Sequence, residues 1–193
     1  MSETAHDRIR QRLSEAQAAY ASLGEDFLAA VEQSAAMAVA ALLGGGGVYF
    51  VGNGGSAADA QHWAAELVGR YLEDHAPLNA HALTVNSSVM TALGNDFPAE
   101  EVFQRQVRAH LKPGDVLVAI STSGNSANIL RAAEEAKNIG AKVVGVTGRD
   151  GGKLAPLSDV AFIAPADDTP RIQEVHLLFG HSFCELVEQA FLK

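Results

Sequence analysis

Two stretches of this chain share one pattern, and that pattern constrains the fold more than anything else in it. "VYFVGNGGSAADAQHWAAEL" (48–67) and "VLVAISTSGNSANILRAAEEA" (116–136) each begin as a short apolar run, cross a glycine-bearing loop and become an amphipathic helix. Such runs, rich in valine and isoleucine, are too short for helices and suit strands covered on both faces. "HALTV" (His81 to Val85), "KVVGVT" and "DVAFIA" supply three more strands. Strands alternating with helices predict βαβ units and a parallel sheet. The expected class is α/β: a five-stranded parallel sheet between helices, doubly wound in the flavodoxin manner.

Two helices precede the first strand. One runs from about Glu3 to Leu23, with Ile9, Leu13, Ala16 and Tyr20 on one face. The second runs from about Asp26 to Leu43 and is stopped by Gly44 to Gly47. Further helices are expected near Ser88 to Leu93, from Ala99 to Leu111, after Ser126 up to Gly140, and from Arg171 to Leu192. No linker, repeat or low-complexity segment interrupts the chain. It therefore reads as a single domain over 1–193, with a helical pair (1–43) leading an α/β sandwich (48–193).

Composition narrows the function classes. At 193 residues the chain can bury a full core. A net charge of −9 argues against a nucleic-acid-binding face. The single cysteine, Cys184, cannot form an intrachain disulfide, which fits a reducing compartment. The polar start "MSETAHDRIRQRLSEAQAAY" lacks an apolar signal core, and no window of 18 residues is wholly apolar. A cytoplasmic protein without a membrane span is expected.

In open α/β sheets, ligands bind outside the carboxyl ends of the strands, where strand order reverses. Two strand-end loops stand out. Gly52-x-Gly54-x-x-Ala57 formally matches a dinucleotide fingerprint, but the second strand ends "VNSS", without the acid that would take the ribose hydroxyls. No G-x-x-x-x-G-K-[ST] is present. The loop "STSGNS" crowds Ser121, Thr122, Ser123 and Ser126 at the start of a helix, where free backbone N–H groups and the helix dipole favour an anion. One serine would serve as a cap; four hydroxyls in six residues suit a phosphate monoester. An acidic protein can in this way bind a phosphorylated ligand without lysine or arginine.

His62 and Glu66 are four apart and share a helix face. That spacing is common in ordinary surface pairs. The last helix offers "RIQEVHLLFGH", with Gln173 and His181 eight apart on one broad face and Glu174 and His176 as competitors on neighbouring faces. If the two helices meet, these groups make an acid–base pair or a metal site.

Taken together, "VGNGGSAADAQHWAAELVGRY", "GNDF" (Gly94 to Phe97), "AISTSGNSANIL", "VTGRDGGKLA" and "RIQEVHLLFGH" resemble the phosphoheptose isomerases of the sugar isomerase (SIS) domain superfamily. The likeness covers almost the whole chain. It implies conversion of sedoheptulose 7-phosphate to D-glycero-D-manno-heptose 7-phosphate, the first step of activated heptose biosynthesis for lipopolysaccharide or other bacterial glycans. It further implies a homotetramer with active sites at subunit interfaces, the leading helices serving oligomerisation. The catalytic pair carries over to Glu66 and His181, and zinc ligation to His62, Glu66, Gln173 and His181. Phosphate binding carries over to Ser121, Thr122, Ser123 and Ser126; sugar contacts fall on Asn53, Gly54, Gly55, Asn95, Asp96 and Gln173. Glu66 also lines the substrate site, with Arg70 and Asp96 shaping or polarising it. The chain departs from the family pattern at Ala65 and Pro170.

The competing expectations are an isomerase of another sugar phosphate, a sugar-phosphate sensor, and a non-catalytic SIS-domain factor that binds the bacterial replication initiator. Neither of the last two needs both Glu66 and His181. One observation on oligomerisation is independent of family. "FLAAVEQSAAMAVAALL" is apolar around most of its circumference, more than one sheet face can cover, unless the first helix covers the rest within the monomer.

Overall fold

A computed structural model describes residues 4–192. Five parallel strands, β1 (Val48–Val51), β2 (Ala80–Ala82), β3 (Val116–Ser121), β4 (Lys142–Gly148) and β5 (Val160–Ala164), form one sheet in the order β2-β1-β3-β4-β5. This is the expected doubly wound order. Register pairs Phe50 with Val118 and Val118 with Val144 across the sheet centre.

Alternation along the strands feeds two cores. Val48, Phe50, Val118, Ile120 and Val146 face α2 (Glu25–Leu43), α3 (Gly55–Val68) and α8 (Thr169–Gln189). Tyr49, Val51, Leu117, Ala119 and Val143 face α5 (Glu101–His110) and α6 (Ala127–Ile139). α4 (Ser87–Asp96) lies on α5 and buries none of its residues.

The differences from the sequence reading have local causes. α1 spans Ala5–Ala21, started by a reciprocal cap between Thr4 and Asp7; Glu3, where the helix was expected to begin, lies outside the described residues. β2 ends at Ala82 rather than Val85, because Asn86 caps α4 by accepting a bond from Val89 N–H. α8 begins at Thr169, with Pro170 in its first turn, where no backbone donor is needed. A single turn, α7 (Leu154–Leu157), is too short to leave any periodic signal.

α1 does not cover α2. It packs on α8, tied by the Tyr20 hydroxyl to the Glu174 carbonyl, and leaves Ile9 and Leu13 at 70% and 59% exposure. α2 is long and apolar enough by composition alone to cross a membrane, at mean hydropathy 1.4. Here it lies against α8 and β5, burying Phe27, Ala30, Val31, Ala35 and Ala38 and leaving Leu28 and Leu43 exposed.

Candidate active site

Because β1 and β3 are neighbours at the point where strand order reverses, the two singled-out loops lie side by side. They are joined by a reciprocal pair of amide hydrogen bonds: Asn53 and Asn128 each donate to the other at 2.9 Å. Asn128 was not singled out by the sequence; it has no signal beyond its place in the first turn of α6.

In the second loop, Ser121 ends β3 and Ser126 is the N-cap residue of α6, yet the Ser126 side chain makes no capping bond. Its Oγ lies 3.1 Å from Ser121 Oγ instead. Ser123 Oγ accepts from Asn125 N–H at 3.2 Å, and Thr122 is half-buried beside it. Helix capping therefore does not explain Ser121 or Ser126. The Ser121 and Ser126 hydroxyls meet at the start of a thirteen-residue helix whose dipole favours an anion there.

The first loop delivers α3, and α3 runs alongside α8. Gly55, where α3 begins, lies against the Gln173 side chain, in space a Cβ would fill. Two turns on, Gly180 lies against the Trp63 ring, again with no room for a Cβ. This close approach sets His62 beside His181, their rings perpendicular with centroids 5.1 Å apart. His62 Nε2 meets Glu66 Oε1 at 2.9 Å. Tyr71, just past the end of α3, has its ring centroid 5.6 Å from that of His181. Burial, and after it the carboxylates of Glu185, Glu66 and Glu188 among others, raises the Tyr71 hydroxyl pKa, so it stays protonated.

Thus His62, Glu66 and His181 are gathered, Gln173 lies two turns earlier on the same seam, and Asn53 and Gly54 lie in the loop that opens α3. Asn95 and Asp96 are not gathered with them within one chain. They end α4, where Asn95 donates to Asp96 at 2.7 Å. The competitors on α8 have other tasks. Glu174 pairs with Arg171 at 2.6 Å. His176 is fully buried, donates from Nε2 to the Thr147 carbonyl at 2.8 Å, and is pushed down to about 4 by burial, against the pull of that bond.

Asp59, one turn before His62, was also missed. Its carboxyl is raised to about 6 by burial, with His62 opposing, and its Oδ2 is buried without a hydrogen-bond partner among the described residues. Nothing in a lone aspartate on a helix announces burial. Among the described residues, no group of three His, Cys, Asp or Glu side chains is disposed to hold a metal ion.

Residues 13–148 match the SIS domain family. The chain is 52% identical to the phosphoheptose isomerase of Rhodospirillum rubrum over 95% of its own length and 97% of that protein's. The chain belongs to the phosphoheptose isomerases of the SIS domain family. Solved structures agree. The phosphoheptose isomerase of Neisseria gonorrhoeae superimposes with a TM-score of 0.90 at 41% identity, covering 95% of this chain and 99% of that one. The enzyme from Francisella tularensis gives 0.93 at 35% identity, covering 96% and 99%.

Proposed function

We infer that this isomerase interconverts sedoheptulose 7-phosphate and D-glycero-D-manno-heptose 7-phosphate by proton transfer through a cis-enediol. Glu66 takes the proton from C1, breaking the C1–H bond, and delivers it to C2. His181 moves a proton from the C1 oxygen to the C2 oxygen, so the ketose carbonyl becomes a hydroxyl and C1 becomes the aldehyde. The observation that most supports this reading is the crossing of α3 and α8, which brings His62, hydrogen-bonded to Glu66, beside His181. Ser121, Thr122, Ser123 and Ser126 take the phosphate; Asn53, the turn at Gly54 and Gly55, and Gln173 take the sugar.

The test is proton NMR with sedoheptulose 7-phosphate in heavy water. Deuterium should enter C1 and C2 with the wild type. Glu66→Gln should abolish this while leaving sugar-phosphate binding largely intact; unchanged exchange would remove Glu66 from the reaction.

The donor set of His62, Glu66, Gln173 and His181, two imidazoles, a carboxylate and an amide oxygen, suits zinc, although His62 and Glu66 must release each other to serve as ligands. Bound zinc would polarise sugar oxygens or hold the site together. Metal analysis should find one zinc per chain, with turnover falling on chelation; full activity in metal-free enzyme would exclude an obligatory metal. A homotetramer completes the reading. It is supported by the uncovered Ile9, Leu13, Leu28 and Leu43, and by the exposed α4, whose Asn95 and Asp96 would reach a neighbouring site. Light scattering should return four times the 20.2 kDa chain mass, and a single-chain mass would refute it. Cys184, buried as a free thiol, agrees with a cytoplasmic setting.

A further inference from the structure

The α3–α8 seam has a third rung that the reaction does not explain. Along α8, Gln173, His181 and Glu188 follow one another about every two turns. Gln173 meets Gly55, His181 meets His62, and Glu188 meets the chain just beyond α3. The Glu188 side chain is only 2% exposed. Its carboxylate accepts from Tyr71 N–H at 2.6 Å, from Leu72 N–H at 3.0 and 3.1 Å, and from Glu73 N–H at 3.0 Å, using both oxygens. His75, also buried, faces it with Nε2 at 3.5 Å.

Burial pushes the Glu188 carboxyl pKa up, but the bonds from Glu73, Leu72 and Tyr71, with His75 behind them, outweigh burial and hold it below the usual range. A buried carboxylate is costly unless it is paired and hydrogen-bonded. Here it gathers three successive backbone donors, folding the exit of α3 into a nest. The residue at the head of that nest is Tyr71, whose ring lies against His181, and Arg70 precedes it. The loop from 69 to 79 has no regular structure of its own to fix Tyr71.

We propose that Glu188 is a positioning residue for the isomerisation, clamping the backbone of Tyr71 to Glu73 so that the Tyr71 ring holds His181 in its working orientation. This rests on His181 acting in the reaction. Glutamine cannot replace the carboxylate, because one accepting oxygen would become an NH2 facing a backbone N–H.

The experiment compares Glu188→Gln, Tyr71→Leu, His181→Asn and a control, Glu135→Gln. Glu135 is another buried carboxylate, held by Arg108 and Gln104 on the opposite face of the sheet. Glu188→Gln is expected to lower kcat about 10- to 100-fold, with KM changed less than about threefold. Tyr71→Leu, which keeps its N–H, should reproduce that loss, and both should move the His181 ring-proton resonances. The control should lose thermal stability, keep kcat within about twofold and leave those resonances in place. Wild-type kcat in Glu188→Gln, or a kcat loss in the control as large as in Glu188→Gln, overturns the proposal. If Glu188→Gln does not fold, Tyr71→Leu decides alone, and wild-type kcat there is fatal. Wild-type turnover in His181→Asn would instead overturn the role of His181 itself.

Discussion

On the sheet face covered by α2, α3 and α8, the core is aromatic: Phe50, Trp63, Phe162, Phe179 and Phe183 stack or meet edge to face. On the face covered by α5 and α6 only Tyr49 and Phe103 are aromatic, and most of the core is small and aliphatic: Leu117, Val143, Ile129, Ala132, Ala133 and Ala136. Each face buries one glutamate among donors. Glu135 takes side-chain donors from Arg108 and Gln104 and thereby pins α6 to α5. Glu188 takes backbone donors and shapes the loop whose Tyr71 ring lies beside His181. The same interaction staples two helices on one face and, on the proposal above, sets the geometry of the site on the other. Large rings at an α3–α8 crossing fix relative rotation and separation, whereas a stripe of alanines fixes only distance.

The sharpest way to break this contrast is at the acid–base pair. His181→Asn should cut turnover about 10²- to 10⁴-fold with little change in melting temperature, and a variant of near wild-type rate would leave the aromatic face with no chemical task. Next comes the crossing itself. Gly180→Ala inserts a methyl into the Trp63 ring and should cost about 1–3 kcal/mol of stability by overpacking. Denaturant unfolding measures that cost. Steady-state rates should fall with it, because His181 is the next residue.

A third prediction separates two histidines five apart on α8. His176 is neutral in the fold, pushed down to about 4, while the unfolded chain binds its proton near 6.5. Its contribution to stability is complete above pH 6.5 and is lost as pH falls toward 4, by about 2 kcal/mol at pH 5. Unfolding at pH 7 and pH 5 should show a smaller difference in His176→Gln than in the wild type. The smallest effect is expected on the face covered by α5 and α6. Glu135→Gln should lower the melting temperature by about 2–4 °C with turnover unchanged, and a slowed enzyme would show that both faces serve the site.

Much of the site was legible because it follows chain-local rules. The two glycine-bearing loops follow strands whose apolar runs mark them as central, and a doubly wound sheet brings such loops together. The crowding of hydroxyls at Ser121 to Ser126 is local too, and its excess over what a cap needs is visible without coordinates. His62 and Glu66 are placed on one face by helical period alone. What was not legible is relational. Asp59 reads as a solvated charge until its burial is seen, Asn128 matters only as the partner of Asn53, and Glu188 looks like any glutamate near a helix end. The stripe of Ile9, Leu13 and Tyr20 was correctly read as apolar, but a stripe does not say which surface covers it.

By itself the sequence determined the class of sheet, the two glycine-bearing strand-end loops and the kinds of group available for chemistry, because strand burial, glycine turns and helical spacing are properties of short segments. Tertiary structure decided that α3 and α8 cross at Gly180 and Trp63, that His181 rather than His176 meets His62, and that Glu188 closes the seam. Those outcomes depend on how two faces distant in sequence fit together. Shape and unpaired hydrogen-bond donors select that fit, and neither has a signature in a single segment.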